Sequence, residues 1–289
     1  MQFTHYTPGR LPPNRAASSP ATLQIFSIKL PEVAGDLHWP LSVYGKVVVR
    51  DVVDRNRNFI FSRRRENSQE LTQDDPFLRL IGPSRAVVYT DRVTFEIQLY
   101  VKGTTKSQDK PLITQARDYH ELFGDASTVC FKNCFCTIEL RVQVVERTTQ
   151  ATILGVQADI SAGKPYPFEY GARVICSPLP GKSKYPEIVM VDSKDGAMLK
   201  GSDGYLHLPR DVVSVDYEGR LDVEIQAYSK SGKIVAKKHV SFLPRLSKIS
   251  RGCCTIRGVE VVITVAWSRV AEDKLEVMAF GSLVQDRCS

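Results

Sequence analysis

The sequence predicts an all-β protein made of two tandem, internally duplicated antiparallel β-sandwich-like repeats with very little helix. The first observation is a strict alternation of apolar and polar residues over 91–100, which is the period of a half-buried β-strand. The second is the recurrence of this pattern, in the same register, at 219–228, which lies 128 positions further on. The third is a series of short β-type segments separated by turn residues, which is typical of an antiparallel sandwich or barrel.

The first predicted strand begins at Leu23, where Leu23, Ile25 and Ile28 open an apolar cluster, and Pro31 is expected to end it. Only 114–123 is predicted to be helical, over one or two turns. The remaining strands are predicted over 41–50, 57–64, 85–90, 92–102, 136–146, 149–158, 170–176, 187–192, 219–229, 233–242, 258–267 and 274–281.

A constant offset between matching residues indicates an internal duplication. Asp75-Pro-Phe matches Asp203-Gly-Tyr at the same offset of 128 positions, and for the strands after residue 136 the offset falls to 121. We therefore predict a disordered lead at 1–21, a first β-sandwich repeat at 22–160 and a second at 161–289. Two sandwiches side by side and one larger body with pseudo-two-fold symmetry both fit this pattern.

Length and composition place the chain among globular proteins, with 289 residues of which 43% are hydrophobic and 25% are charged. No apolar run approaches the roughly 20 residues that a bilayer-spanning helix needs, so no membrane partner is expected. The seven cysteines show no framework spacing, which indicates reduced thiols at buried strand positions in an intracellular protein. Because the N-terminal stretch lacks an apolar signal segment, we expect the cytoplasm, with the nucleus as the alternative.

Charge offers one candidate contact surface. The net charge of +7 is spread almost evenly, with 20 basic and 17 acidic residues in 1–160 and 19 and 15 in the remainder. The densest basic segment lies at 50–65, and acids over 66–75 balance it, which favours a self-paired surface over a phosphate-binding patch. The residues predicted to contact a partner are Arg55, Arg57, Arg63, Arg64 and Arg65.

The motifs of common enzyme classes do not occur in the sequence. Gly181-Lys-Ser lacks the first glycine of a phosphate-binding loop, and there is no Gly-x-Ser-x-Gly or His-Glu-x-x-His motif. Asp51, Asp54, Asp74 and Asp75 have the oxygen ligands that calcium prefers, but Asp is also an ordinary turn residue. We therefore predict no catalytic residue, no cofactor and no metal ligand, and we keep an undescribed hydrolase as the enzymatic alternative.

Several motifs are distinctive, among them Trp39-Pro-Leu-Ser-Val-Tyr-Gly45, Gly82-Pro-Ser-Arg-Ala86 and Asp192-Ser-Lys-Asp-Gly-Ala197. Through these motifs, the chain resembles an uncharacterised domain family that is expanded in cereal grasses, and the resemblance extends over about residues 23–270. Some members of that family follow a ribosome-inactivating rRNA N-glycosylase, in jasmonate-induced ribosome-inactivating proteins. The resemblance implies stress or defence biology. It does not imply glycosylase activity here, because no glutamate in the chain has the Arg three residues later that this chemistry uses.

The function expected from the sequence is a non-catalytic, intracellular binding or interaction module in plant stress or defence. Its partner is expected to be a protein. The second hypothesis is a translation regulator that binds RNA or the ribosome, since related domains are fused to ribosome-inactivating enzymes. The sequence does not indicate an oligomeric state.

Overall fold

The computed structural model describes residues 20–53, 56–120, 125–160, 163, 165–178, 186–194 and 196–270. Within these ranges nearly all regular structure is antiparallel β-strand, so the all-β prediction is confirmed. The helical parts of the described ranges are a single turn, α1 (Gly196–Leu199), and short 3₁₀ turns at Arg65–Asn67, Lys106–Gln108 and Ser202–Gly204.

The first sandwich is formed by the strands of the N-terminal half. These strands are β1 (Thr22–Val33), β2 (Leu41–Arg50), β3 (Asn58–Arg63), β4 (Gln69–Leu71), β5 (Val87–Val88), β6 (Val93–Val101), β7 (Lys110–Tyr119), β8 (Ser127–Lys132) and β9 (Cys136–Val145). One sheet has the order β5-β1-β9-β8 and the other the order β3-β2-β6-β7, with β4 beside β2. Their facing sides bury a common core around Ile28, Val47, Phe95 and Leu140.

The second sandwich is formed by the strands of the C-terminal half. These strands are β10 (Thr148–Ala158), β11 (Ala172–Ser177), β12 (Ile188–Ser193), β13 (Val212–Asp216), β14 (Leu221–Tyr228), β15 (Ile234–Phe242), β16 (Ile249–Ile256) and β17 (Val259–Ser268). The sheet orders are β13-β10-β17-β16 and β12-β11-β14-β15. A second core, with Val174, Val223, Ile263 and Trp267 among its members, lies between these sheets.

Apart from the short strand β4, which has no counterpart among the described strands of the second sandwich, the two sandwiches have the same strand order. Phe95 of β6 pairs with Val49 of β2, and Val223 of β14 pairs with Cys176 of β11, so both residues occupy the same buried place. Isolated bridges join Lys29 to Phe77 and Gln157 to Tyr205, again 128 positions apart. The predicted duplication is therefore present in the strand pairing and in the packing.

Strand β10 belongs to the second sandwich, and this changes the predicted division of the chain. The repeat in the sequence predicts that the first unit extends to residue 160. In the structure, β10 pairs with β13 and β17, and Ile153 and Val156 lie in the second core. Because β10 occupies the place that β1 has in the first sandwich, the second repeat begins at Thr148. The strand predicted at 274–281, where Leu275 and Val277 match Leu154 and Val156 of β10 at the offset of 121, lies outside the described residues, as do residues 1–19.

The segment predicted to be helical is an edge strand in its described part. Residues 110–119 form β7, which pairs with β6 along its length, and 121–124 lie outside the described residues. The polar residues of 114–118 gave a weak local signal for helix. Pairing with β6 and burial of Leu112, Ile113 and Tyr119 decide the conformation instead.

The sandwiches are joined by reciprocal hydrogen bonds at equivalent positions. The backbone N–H of Ser214 donates to Gln24 Oε1 at 2.9 Å, and the backbone N–H of Ala86 donates to Gln150 Oε1 at 2.7 Å. The buried guanidinium of Arg210 donates from Nη1 to the carbonyl of Phe26 at 3.2 Å and from Nη2 to that of Ile25. Phe26, in a bulge of β1, packs into the second core. Of the two arrangements left open by the sequence, these contacts favour one body with approximate two-fold symmetry.

Candidate functional site

Two members of the predicted arginine cluster, Arg57 and Arg65, form ion pairs within the protein. Arg57 Nε lies 3.0 Å from Glu96 Oε2, and Arg50 Nε lies 2.5 Å from Glu96 Oε1. Burial alone would raise the pKa of the Glu96 carboxyl, but the hydrogen bonds from these two arginines outweigh it and lower that pKa. Arg55 lies outside the described residues.

Arg65 has a different environment, at the loop that precedes β7. Its Nε and Nη2 contact the two carboxylate oxygens of Asp109 at 2.8 and 3.1 Å, and Nη2 also donates to the carbonyl of Gly103 at 2.8 Å. Arg63 is half-buried and Arg64 is exposed. The structure therefore does not gather these arginines into one open patch, because Arg57 and Arg65 pair with acids on different strands and loops. Their role in partner contact stays a prediction.

A stronger basic surface lies in the second sandwich, where the edge strands of its two sheets meet. We call it the basic seam, and it consists of residues 229–258, which are the turn before β15, strands β15 and β16, and the loop between them. The strands approach closely at Gly252, where a Cβ atom would lie 2.5 Å from Val240 Cγ1. Lys238 and Cys254 are neighbours across this junction: burial raises the pKa of the Cys254 thiol, and the Lys238 charge acts against that shift.

The basic seam contains cations and no acids. Its 30 residues include eight lysines and arginines and neither Asp nor Glu. All eight are exposed, as is His239. They are Lys230, Lys233, Lys237, Lys238, Arg245, Lys248, Arg251 and Arg257.

The duplication provides an internal comparison for this charge. From the start of β15 to the end of β16, residues 234–256 carry five basic and no acidic residues. The equivalent segment of the first sandwich, residues 110–132, has the same length and carries three basic and three acidic residues. Because the two segments have the same place in the same topology, the fold alone does not require a basic edge. The positive charge is a property of the second copy.

Acids on neighbouring strands neutralise only a small part of the seam. Lys237 Nζ lies 2.8 Å from Glu224 Oε2 on β14. Asp222, also on β14, accepts a hydrogen bond at 2.5 Å from the Ser241 hydroxyl, and Glu260 of β17 lies opposite Thr255. Among the residues that the structure describes, no ion pair involves the other seven cations. Their charge is therefore directed to solvent.

The loop between β15 and β16 and the first residue of β16 present apolar side chains beside these cations. Leu243 is 75% exposed and Ile249 is 44% exposed. The loop is nevertheless tied down by its backbone. The carbonyl of Arg245 accepts from Thr149 Oγ1 at 2.7 Å, and the carbonyl of Lys248 accepts from the backbone N–H of Trp267 at 2.9 Å. These two anchors hold the exposed side chains at a defined edge of the sandwich.

Sequence reasoning missed the seam, although its signal is present in the sequence. Counting charge over halves of the chain averaged the acid-free stretch with acidic neighbours such as Asp216, Glu218, Asp222 and Glu224. A count over a window of about one hairpin would have found it. That 229–258 forms one continuous surface is visible only in the structure, because β15 and β16 belong to different sheets.

The described residues were compared with two further kinds of site, a metal site and a membrane-spanning helix. No group of three or more His, Cys, Asp or Glu side chains there has the geometry to hold a metal. Nor does any helix within it have the length and apolar character to cross a membrane. Asp51, one of the residues considered for calcium, instead forms a buried two-point ion pair with Arg85 at 2.5 and 2.6 Å.

Fold and surface together define a tandem β-sandwich protein with a basic edge on its second sandwich. Residues 22–265 match the family described as a domain of unknown function (DUF6598), and the chain belongs to that family. No curated protein matches it.

Among solved structures, the chain is weakly similar to human GIVD cytosolic phospholipase A2, both alone and in complex with methyl gamma-linolenyl fluorophosphonate. Identities are 10% and 9%, and TM-scores are 0.28 and 0.25. The matches cover 89% and 87% of this chain but only 31% and 32% of the phospholipase chains, so this chain spans about a third of their length. Similarity at this level carries no argument about fold or activity.

Proposed function

We propose that this protein is a non-catalytic binding module and that the basic seam is its contact surface for an anionic partner. One observation carries the proposal. Seven exposed cations of the seam have no ion-pair partner among the described residues, whereas the equivalent edge of the first sandwich is charge-balanced. A set of unpaired cations on one edge raises the local concentration of anions and directs their approach.

The use of the buried polar groups supports a binding module over an enzyme. Gln24, Gln150 and Arg210 hold the two sandwiches together, and Asp51 with Arg85 fixes the segment that enters β5. These groups form hydrogen bonds within the protein, so we assign them a structural role. An undescribed hydrolase is the alternative, and a pocket with paired carboxylates would support it.

We further propose a biological role and a cellular compartment for this protein. The resemblance of the sequence motifs to a family expanded in grasses, with members fused to ribosome-inactivating enzymes, supports a role in plant stress or defence. We place that role in the cytoplasm, with the nucleus as the alternative. The partner expected from the sequence is a protein, and RNA or the ribosome is the second candidate, because exposed cations also suit phosphates.

Two charge-matched variants test the proposal. The seam variant changes Lys230, Lys233, Arg245 and Lys248 to Gln. The control variant changes Arg79, Lys102, Lys106 and Lys132 of the first sandwich to Gln. Neither set takes part in an ion pair among the described residues, and each lowers the net charge from +7 to +3, since four charges are removed.

Affinity purification from plant extract and RNA binding at about 50 mM salt, which favours phosphate contacts, are the measurements. We expect the seam variant to lose the partner that the wild type and the control variant retain. Equal recovery by all three proteins would overturn the proposal. A third variant, with Arg63 and Arg64 changed to Ala, tests the arginine cluster without disturbing the Arg65–Asp109 pair.

A further inference from the structure

We propose that the anionic partner of the basic seam is the surface of a phospholipid bilayer, and that the Leu243 loop, residues 243–249, inserts into it. This inference rests on the proposed function, because it takes the seam to be the contact surface. It adds the class of partner and the side chains that enter it. The observation behind it is independent of charge and concerns the apolar residues of the same surface.

Exposed aliphatic side chains concentrate on the basic seam. The three most exposed large apolar residues of the described chain are Leu243 at 75%, Val235 at 53% and Ile234 at 50%, and Ile249 is 44% exposed. All four lie within the acid-free stretch 229–258. Leaving them in water is unfavourable, so a partner that removes them from water gains free energy in addition to the charge attraction.

Cations flank these aliphatic residues in sequence at both ends of β15. Lys230 and Lys233 precede Ile234 and Val235, and Arg245 and Lys248 lie in the loop with Leu243. The nine residues of β15 separate the two groups by roughly 30 Å at the usual rise per residue. The headgroup layer of a bilayer that contains anionic lipid offers negative charge over any such span, with hydrocarbon just beneath it for an aliphatic side chain.

The composition of the seam favours a bilayer over a nucleic acid. Single-stranded nucleic acids are bound by stacking their bases on exposed aromatic side chains between cations. In the seam, the sole Phe, Tyr or Trp is Phe242, which is buried. Leu, Ile and Val gain little from phosphates or base edges, whereas they gain most when they enter hydrocarbon. The mixture of lysine, arginine and aliphatic residues is therefore suited to an anionic lipid surface.

The rigidity of the loop adds to this argument. Thr149 and Trp267 hold the backbone at Arg245 and Lys248, so Leu243 does not need to be ordered at the moment of binding. The lack of a bilayer-spanning segment in the sequence predicts no membrane partner. Peripheral attachment through one edge of the sandwich needs no spanning segment, so this inference replaces that prediction.

Sedimentation with vesicles tests the inference on the full-length protein. One vesicle preparation is phosphatidylcholine alone, and the other is an equimolar mixture of phosphatidylcholine and phosphatidylserine. The proteins are the wild type, the seam variant, the control variant and Leu243→Ser, which keeps every charge. Equal urea unfolding midpoints of the four proteins check that each is folded.

We expect the wild type and the control variant to sediment with the anionic vesicles and not with phosphatidylcholine alone. The seam variant should bind more weakly by about fivefold for each charge removed. Leu243→Ser should bind about tenfold more weakly, because the leucine side chain no longer enters hydrocarbon. Added salt should weaken the binding of all four proteins.

Other outcomes overturn the inference in distinguishable ways. If the wild type binds RNA or an acidic protein through the seam but no vesicles, the bilayer is the wrong partner and the proposed function stands. If vesicle binding is lost in the seam variant but unchanged in Leu243→Ser, attraction is by charge alone and the inserted loop is wrong. If the seam and control variants behave alike in every assay, both the inference and the proposed function fail.

Discussion

Gln24 and Gln150 occupy equivalent places in the two sandwiches, and each side chain accepts a hydrogen bond from the backbone of the other sandwich. Gln24 Oε1 accepts from Ser214, and Gln150 Oε1 accepts from Ala86. Ser214 pairs with Gln150 across β10 and β13, and Ala86 directly precedes β5, the partner strand of β1. The exchange is therefore reciprocal, and it is the polar centre of the contact between the duplicated units.

Removing either glutamine should destabilise the protein by a similar amount. Gln24→Ala and Gln150→Ala each leave a buried N–H without its acceptor, which costs about 1–3 kcal/mol. The matched control is Gln157→Ala in β10, whose side-chain hydrogen bond to the Asp203 carbonyl is exposed and should cost less than about 0.5 kcal/mol. Urea unfolding measures all three. A loss of stability at Gln157 as large as at Gln24 and Gln150 would contradict the assignment.

Breaking the buried ion pair of Asp51 and Arg85 should have a larger effect. Their side chains are 1% and 6% exposed, and Asp51 also accepts from the backbone N–H of Val88 at 2.9 Å. Asp51→Ala leaves a buried guanidinium without its counter-charge, so we expect a loss of about 3–5 kcal/mol. Asp118→Ala removes an exposed pair with Arg92 and should cost less than about 1 kcal/mol. Similar unfolding midpoints for the two variants would show that the buried pair contributes no more to stability than the exposed pair does.

Asp109 should make the stability of the first sandwich sensitive to acid. Hydrogen bonding from Arg65, with further bonds from the Gly103 backbone and the Tyr44 hydroxyl, holds the pKa of the Asp109 carboxyl well below its usual value of 3.8. A carboxyl with a lowered pKa in the folded state stabilises that state above its ordinary pKa, and this contribution is lost as the pH falls below it. We expect Asp109→Asn to be less stable than the wild type at pH 7 and to lose less of its stability between neutral pH and acid. Parallel plots of urea midpoint against pH would contradict this.

Gly252 should be required for the closure of the basic seam. A methyl group there would lie 2.5 Å from Val240 Cγ1 and 3.1 Å from Phe242 Cζ. Gly252→Ala should therefore destabilise the protein by about 1–3 kcal/mol through overpacking. At Gly219 the nearest atom would be 3.3 Å away, which is a much smaller overlap, so Gly219→Ala is the control and should destabilise the protein less than Gly252→Ala does. If thermal unfolding shows no difference, the strands at the seam are less tightly packed than described.

The thiols should separate into two classes by reactivity. The sequence predicts cysteines at buried strand positions, and this prediction is confirmed for Cys136 and Cys176 only. Cys130, Cys134 and Cys253 are exposed. Burial raises the pKa of the Cys136 thiol to about 11 and that of Cys176 to about 12. At pH 8 a thiol reagent should modify the exposed three first and reach the buried two only after denaturation, as mapped by mass spectrometry. Early labelling of Cys176 would contradict the packing of the second core.

Much of the strand content could be predicted because it rests on a local signal. In Val93–Leu99 and Leu221–Ile225 every second residue is apolar, and those are the residues that the structure buries. A repeat at constant spacing then implies two units with the same strand order. Residues 110–119 show the limit of this reasoning, because an edge strand buries few residues and its alternation is weak.

The unit boundary could not be found in this way. β10 follows β9 after two residues, and as a single strand it suits the end of one sandwich as well as the start of the next. Only its hydrogen-bonded partners, β13 and β17, assign it to the second unit. The paired residues are 60 to 118 positions apart in the chain, so a local sequence pattern does not identify them.

By itself, the sequence determined that this protein consists of β-strands arranged in two copies. Burial of one face of a sheet requires an apolar residue at every second position of a strand, and this alternation is visible in the sequence. The tertiary structure alone decided which strands share a sheet, how Gln24 and Gln150 join the copies, and that β15 and β16 meet to form a basic edge. These features depend on residues that are distant in the chain and close in space. Electrostatic and hydrogen-bond interactions act through space, and the folded arrangement of the sheets sets those distances.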